Sequence, residues 1–413
     1  MRILSGRSAL AMVDRLSTRG VQLTSLEPKV RRILDDVRRR GDVALRSYAE
    51  QWDGLRRKQP LRVSATEIAR AAKTIPSELR DALSQAAENI RRFCEWQKPV
   101  PWIRTRAGAS LGQLVIPLDS VGCYVPGGRH PLVSTLLMTA IPAQCAGVAN
   151  IRVASPNPSA AVMAACSMLG IEELYRVGGA QAIAAFAYGT KTIASVDKIV
   201  GPGNAYVTVA KKLVSFDCGI DFLAGPTEAV VLSEAGNPTF IAADLVSQAE
   251  HDPDALAVFI TTSRRLGQEV ASEASRLART NSVAGESLRQ RGAVLQASTR
   301  DQTRQWANLL APEHITVSAD DLPFIRNAGS VFVGDFSAQA AGDYASGPNH
   351  VLPTSGQARF RGGLSVLDFV KLVTVQTLSA KGLRQIAETV EYLANAEGLR
   401  AHAESIRVRC QNA

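Results

Sequence analysis

Five of the 413 residues are histidine, and four of them stand in short segments crowded with acids, amides and glycine. These are Gln248-Ala249-Glu250-His251, Pro312-Glu313-His314, the stretch from Asp343 to His350, and His402, five residues after Glu397. Imidazole both binds transition metals and moves protons near neutral pH. A chain so poor in histidine that sets it beside Gln, Glu and Asp points to a metal or an acid/base site. Any one of these histidines alone is better explained as a satisfied core or surface residue; the four contexts together favour chemistry.

Each segment needs an element to present it. Asn237-Pro238 reads as an N-cap followed by proline in the first helical position, and Asp252-Pro253 as the stop. Gln248 and His251, three apart, then share a helical face, where an amide oxygen and an imidazole nitrogen could hold one ion. The signal is weak alone, because a second histidine one turn on is missing. Asp343 lies in Gly342-Asp343-Tyr344-Ala345-Ser346-Gly347-Pro348-Asn349-His350, expected to be a loop from its two glycines and proline. Its carboxylate would complete an N/O set suited to zinc or a similar divalent ion. His350 reads equally as ligand, substrate contact or structural donor. Glu313-His314 precedes an expected strand and forms a plausible pair for water activation and proton abstraction; an exposed turn is the bland reading.

A third group consists of glycine turns: Tyr124-Val125-Pro126-Gly127-Gly128, Val177-Gly178-Gly179-Ala180-Gln181 and Gly201-Pro202-Gly203-Asn204-Ala205-Tyr206. Each follows an expected strand and leads toward a helix, where exposed backbone NH groups can hold phosphate. None is a Gly-x-Gly-x-x-Gly fingerprint, so the turns indicate an anion or nucleotide crevice without specifying NAD. A tight structural turn explains any single one as well.

The positioning elements follow from composition and period. Hydrophobic residues make up 46% and aromatics 5%, so an Ala/Val/Leu/Ile core in α/β layers is expected. Helices are expected over Val30–Tyr48, broken at Gly41-Asp42, and over Glu67–Trp96. Leu114–Ile116, Val121–Val125, Ile151–Ala154 and Lys198–Val200 read as buried strands, separated by Ala-rich helices at 132–146, 158–169 and 180–188. A second set runs through Ala229–Leu232, a helix from Thr239, Ala257–Thr261, a helix through the 260s and 270s, Ala293–Leu295, Ile315–Val317 and Ser330–Val333. Such alternation implies parallel βαβ units in two α/β domains that meet near Gly225-Pro226, with a helical tail after Phe369.

Several classes are excluded. The net charge of +9 is spread along the chain without a basic block interleaved with aromatics, so no nucleic-acid partner is expected. Six cysteines without a Cys-x-x-Cys pair fit reduced thiols in the cytoplasm. Asp14 and Arg15 interrupt any secretory h-region, and the uncharged stretch Pro131–Ile151 is broken by Pro142, Gln144 and Gly147, so neither signal peptide nor membrane span is expected.

Taken together, the segments resemble the histidinol dehydrogenase family. The match runs from about Gly41-Asp42 to Glu397-Gly398-Leu399-Arg400-Ala401-His402. It is carried most specifically by Val121–Gly128, Ser247-Gln248-Ala249-Glu250-His251 and Ser346–Thr354. The resemblance implies a four-electron oxidation of L-histidinol to L-histidine through the aldehyde, the final step of histidine biosynthesis, with two NAD used in turn. It implies two Rossmann-like parallel-sheet domains with a helical N-terminal region: residues 1–20 as an N-terminal helical segment packing with the C-terminal region, 21–120 with 227–368 as the zinc-bearing catalytic domain, and 121–226 as the NAD domain. Residues 369–413 are then a helical tail exchanged in a homodimer. On the same basis Gln248, His251, Asp343 and His402 look like zinc ligands, one ion per subunit, and Glu313 and His314 like the acid/base pair. The zinc ligands, His314, Thr227, His350 and Glu397 look like the substrate-binding set, with Tyr124, Gln181 and Asn204 on the NAD side. His402 and Glu397 would complete the partner's site. Thr227 departs from the serine that many members carry; it keeps the hydroxyl and adds a methyl group. That leaves open a related zinc/NAD alcohol dehydrogenase acting on another small diol, such as sulfopropanediol, although Glu397 would repel a sulfonate. A zinc-binding hydrolase without NAD would leave the three glycine turns unused.

Overall fold

Apolar spacing accounts for the first helices. In the computed structural model, which describes residues 1–20, 23–127 and 132–411, a short strand β1 (Arg2–Ser5) leads into α1 (Gly6–Ser17). Four helices follow: α2 (Glu27–Arg40), α3 (Asp42–Trp52), α4 (Ala65–Thr74) and α5 (Ser77–Trp96). Val30, Ile33, Leu34 and Val37 fall on one stripe of α2 and are all buried. Gly41, at φ 54°, supplies the left-handed turn that ends α2 and opens α3. Ser64 and Glu67 form a capping box that starts α4.

The chain next forms a hairpin of β2 (Trp102–Arg106) and β3 (Ala109–Pro117). Alternation follows through β4 (Ser120–Tyr124), α6 (Val133–Ala146), β5 (Asn150–Ala154), α7 (Ala160–Met168), β6 (Glu173–Tyr175), α8 (Gly179–Tyr188), β7 (Lys198–Val200), α9 (Ala205–Val214) and β8 (Gly219–Ile220). These strands make a parallel five-stranded sheet in the order β6-β5-β4-β7-β8, so the winding reverses between β4 and β7. Helices α2, α3, α8 and α9 bury their apolar faces on one side of it; α4, α5, α6 and α7 cover the other. The helices of residues 27–96 therefore lie on this sheet, although the resemblance groups residues 21–120 with 227–368.

A second parallel sheet follows from β9 (Glu228–Leu232), α10 (Pro238–Ala249), β10 (Leu256–Thr261), α11 (Arg264–Leu277), α12 (Ser282–Gln290), β11 (Ala293–Gln296), α13 (Arg300–Leu310), β12 (His314–Val317), β13 (Ser330–Val333) and α14 (Gln339–Tyr344). Its order is β1-β11-β10-β9-β12-β13, with β1 added beside β11 as a sixth strand. Side chains alternate across it: Val230 and Leu232 face α1 and α13, and Val231 faces α10 and α11.

Three expectations need correction. Leu114–Ile116 is not a buried parallel strand: it lies in β3, in an antiparallel sheet, with Leu114 and Ile116 exposed. The tail after Phe369 begins with a nine-residue strand, β14 (Val370–Leu378), paired along its whole length with β3; only then come the helices α15 (Ala380–Ala396) and α16 (Arg400–Gln411). Its β-branched residues Val370, Val373, Thr374, Val375 and Thr377 suit a strand rather than a helix. Finally, the N-terminal segment opens with a strand before its helix. Gly128, Pro131 and position 21 lie outside the described residues.

Candidate active site

Strands β9 and β12 are neighbours, with His314 in register with Ala229. The residues that enter these strands, Thr227 and Glu313, therefore meet at the N-terminal edge of the six-stranded sheet. The end of α10 delivers Gln248, and the end of α14 delivers Asp343 to the same edge. Asp343 thus sits on a short helix rather than in a loop; the loop begins after it. Gly342 permits this approach, because a Cβ there would stand 2.6 Å from the Phe332 ring.

The contacts are close. Thr227 Oγ1 donates to Glu313 Oε2 at 2.7 Å, with Gln248 Oε1 3.1 Å away, and the Glu228 backbone NH reaches the same Glu313 oxygen at 3.0 Å. Gln248 Nε2 donates to Asp343 Oδ2 at 2.8 Å, and His314 Nε2 lies 3.3 Å from Asp343 Oδ1. His314 stacks on Phe332, and its Nδ1, 3.9 Å from Glu313 Oε2, is buried without a hydrogen-bond partner. His350 Nδ1 donates to the Asp343 carbonyl at 2.7 Å.

Burial dominates the electrostatics. It pushes Glu313 up to about 7, against the opposing pull of His314, Thr227 and the Glu228 NH. Burial alone would lower His314, but the charge of Glu313 and the hydrogen bond to Asp343 hold it above its ordinary value. Desolvation would raise Asp343, yet its bond to His314 keeps it low. His350 is pushed down by burial. The result is a carboxyl and an imidazole, both raised above their ordinary values, side by side in a buried site.

The other expected residues divide. His251 lies just past α10, its NH bonded to the Gln248 carbonyl at 3.3 Å, and is exposed. His402 and Glu397 are exposed on the C-terminal helical hairpin. Among the described residues of one chain, no three His, Cys, Asp or Glu side chains gather as a metal site, so His402 does not join His251 and Asp343 within the subunit. Tyr124, Gln181 and Asn204 sit at the C-terminal edge of the five-stranded sheet. Tyr124 and Gln181 are buried, and the Gly179 NH donates to the Tyr124 hydroxyl at 3.1 Å. Asn204 caps α9 through the NH groups of Tyr206 and Val207.

Residue-type reasoning passes over two carboxylates. Asp244, one turn before Gln248 on α10, accepts from the Gln339 NH, and burial raises it to about 6. Its i, i+4 relation to Gln248 is the signal that would have found it. Glu228 pairs with Arg19 through two bonds of 2.7 and 2.6 Å, tying the N-terminal segment to the site. A cavity of about 460 Å³, between Ser233–Gly236 and Ser318–Asp321, opens at the opposite edge of this sheet and shares only Asp244 with the Glu313–His314 neighbourhood.

Two parallel sheets, one carrying a buried acid/base pair at its edge and the other three glycine turns, are the construction of an α/β oxidoreductase. The sequence profile of the histidinol dehydrogenase family matches residues 16–410. Similar proteins include the histidinol dehydrogenases of Methanothermobacter thermautotrophicus (47% identical; 92% of each chain covered) and Gluconobacter oxydans (45%; 96% of this chain and 95% of the relative). The crystal structure of histidinol dehydrogenase from Elizabethkingia anophelis superposes with a TM-score of 0.94 at 36% identity, covering 100% of this chain and 98% of that one. The chain belongs to the histidinol dehydrogenase family.

Proposed function

We propose that this protein oxidises L-histidinol to L-histidine by way of L-histidinaldehyde, with zinc and NAD, at a site completed by a second copy of the chain. The observation that carries the reading is the buried Glu313–His314 pair set against Asp343 and Gln248. The donor chemistry fits zinc: an amide and a carboxylate already in contact, with His251 one helical turn beyond, would supply a mixed N/O shell. The partner's His402 would be the fourth ligand, and Glu397, Thr227 and His350 would contact the substrate. The glycine turns suit a dinucleotide because those at Gly127 and Gly201 follow β4 and β7, the neighbouring strands between which the winding of the sheet reverses. A cavity of about 300 Å³ beside Gly127, Ser155 and Ser159 supports the same use of that edge. The six free cysteines support a cytoplasmic setting, and no helix among the described residues is long and apolar enough to cross a membrane.

When bound, zinc would polarise the substrate oxygen and NAD would accept hydride in each of two oxidations. His314 Nδ1, free of other bonds, takes the hydroxyl proton. Its Nε2 is held by Asp343, which fixes the ring. Glu313, raised toward neutrality, then takes a proton from the water that adds to the aldehyde.

The test is NADH absorbance on adding L-histidinol, with zinc present and then with a chelator. Formation of NADH with histidinol and its loss on chelation are expected. Turnover of a sulfonated diol but not of histidinol would overturn the substrate, and histidinol oxidation that survives complete zinc removal would overturn the metal's role.

A further inference from the structure

Asp53 stands outside the five-stranded sheet, at the end of α3, yet its carboxylate reaches the second glycine turn. Its Oδ2 accepts from the Gly178 NH at 2.9 Å and from Gln181 Nε2 at 3.1 Å. Gly178 lets it approach: a Cβ there would stand 3.0 Å from Asp53 Oδ1 and 2.7 Å from Pro156. The neighbouring Gly179, at φ 59°, has the Gln181 side-chain oxygen Oε1 lying across it; a Cβ on Gly179 would lie 2.7 Å from that oxygen.

A carboxylate only accepts, so it fixes which end of an amide faces it. With the NH2 end of Gln181 held by Asp53, the Oε1 end must be presented over the turn. We infer that Asp53 is a positioning residue for the dinucleotide: it shapes the Gly178-Gly179 turn and orients Gln181 so that an acceptor faces a donor of the bound nucleotide, such as a ribose hydroxyl or carboxamide NH2. The inference rests on the reading that this edge binds NAD. No other group in the turn does this, since Tyr124 supplies only an acceptor to the Gly179 NH. Asparagine at position 53 could still accept both bonds, but its own NH2 would also tolerate a flipped Gln181. Alanine would lose both bonds.

The experiment measures NADH affinity by fluorescence titration, KM for NAD, KM for histidinol, kcat and thermal melting for Asp53→Ala and Asp53→Asn, with Asn204→Ala and Tyr124→Ala as probes of the crevice itself. Losing two charge-assisted bonds should weaken NADH binding and raise KM for NAD about tenfold in Asp53→Ala, with KM for histidinol and kcat within about twofold of the parent. Asp53→Asn should fall between Asp53→Ala and the parent. A kcat loss or lower melting temperature with unchanged NADH affinity would reduce Asp53 to a structural role and overturn the inference. If Asn204→Ala and Tyr124→Ala weaken NADH binding while Asp53→Ala does not, the inference alone fails. If none of the three does, the crevice reading fails and the inference with it.

Discussion

Glu313 carries two consequences at the scale of single residues. Its folded value near 7 lies above the ordinary carboxyl value of 4.5, so burial favours the protonated form. The folded state gains from that proton below about 4.5 and loses the gain as pH rises toward 7. Glu313→Gln is therefore expected to melt close to the parent in mild acid and above it at pH ~8, with the difference opening through that window; a constant difference across pH would refute the shift. In activity, the same substitution should suppress aldehyde oxidation far more than alcohol oxidation, by about a hundredfold or more, because general acid–base groups contribute on that order. Separate assays with histidinol and histidinaldehyde read it, and equal losses would assign Glu313 to both half-reactions. Thr227 tunes this group: Thr227→Val removes the 2.7 Å hydroxyl donor and leaves Glu313 Oε2 with the Glu228 NH. The pH at which aldehyde oxidation switches on should move upward in that variant.

Among the elements, the turn after β7 is the most constrained. Lys211 on α9 and Asp221 after β8 form a buried ion pair; Lys211 Nζ also donates to the Gly201 carbonyl at 3.0 Å, and Asp221 Oδ2 accepts from the Gly201 NH at 2.8 Å. Both backbone groups of Gly201 are thereby pinned. Asp221→Ala leaves an ammonium buried without its counter-ion and should cost about 3–5 kcal/mol, read from denaturant unfolding. A paired Lys211→Met, Asp221→Leu variant should recover most of that loss, since apolar replacement of a buried pair is often neutral, but not NADH affinity. Recovery of both would free the pair from any part in shaping the turn. Such devices mark where sequence reading stops. Most strands and helices of both parallel sheets are legible, because their apolar runs and caps are local: Asn237-Pro238 opens α10, and the run at Ala257–Thr261 is a strand. Gln248, Glu313, His314 and Asp343 stand out as rare polar types in short segments. Asp53, Asp221, Asp244 and Glu228 do not, because a carboxylate in a loop, on a helix or at the start of a strand reads as solvated until tertiary packing buries it. The strand in the tail is missed for a related reason: β14 pairs with β3, more than 250 residues away in the chain, and a strand exposed on both faces carries no apolar/polar alternation to mark it.

For the whole molecule, the exposed apolar residues are unevenly placed. Ile103, Leu114 and Val373 share one face of the three-stranded sheet, and Ile386, Tyr392, Leu393 and Leu399 lie on the α15–α16 hairpin, all exposed in the single chain. Exposed apolar residues concentrated on these two elements are the mark of an interface. The hairpin also carries Glu397 and His402, and His402 does not join His251 and Asp343 within the subunit. On the proposed reading a second copy brings them there, and the two chains exchange tails around a twofold axis. Complementation tests this without a structure of the dimer. Glu313→Gln and His402→Ala should each be nearly inactive alone in histidinol-to-histidine turnover. Mixed after reversible dissociation, half the dimers would be heterodimers, and in each of these one of the two sites would hold both Glu313 and His402. About a quarter of parental activity should return, because in a symmetric dimer each shared site draws one residue from each chain. If each site is built from one chain, every site in the mixture carries a defect and no activity returns. Protein that stays monomeric at assay concentration while oxidising histidinol at full rate would defeat the shared site outright.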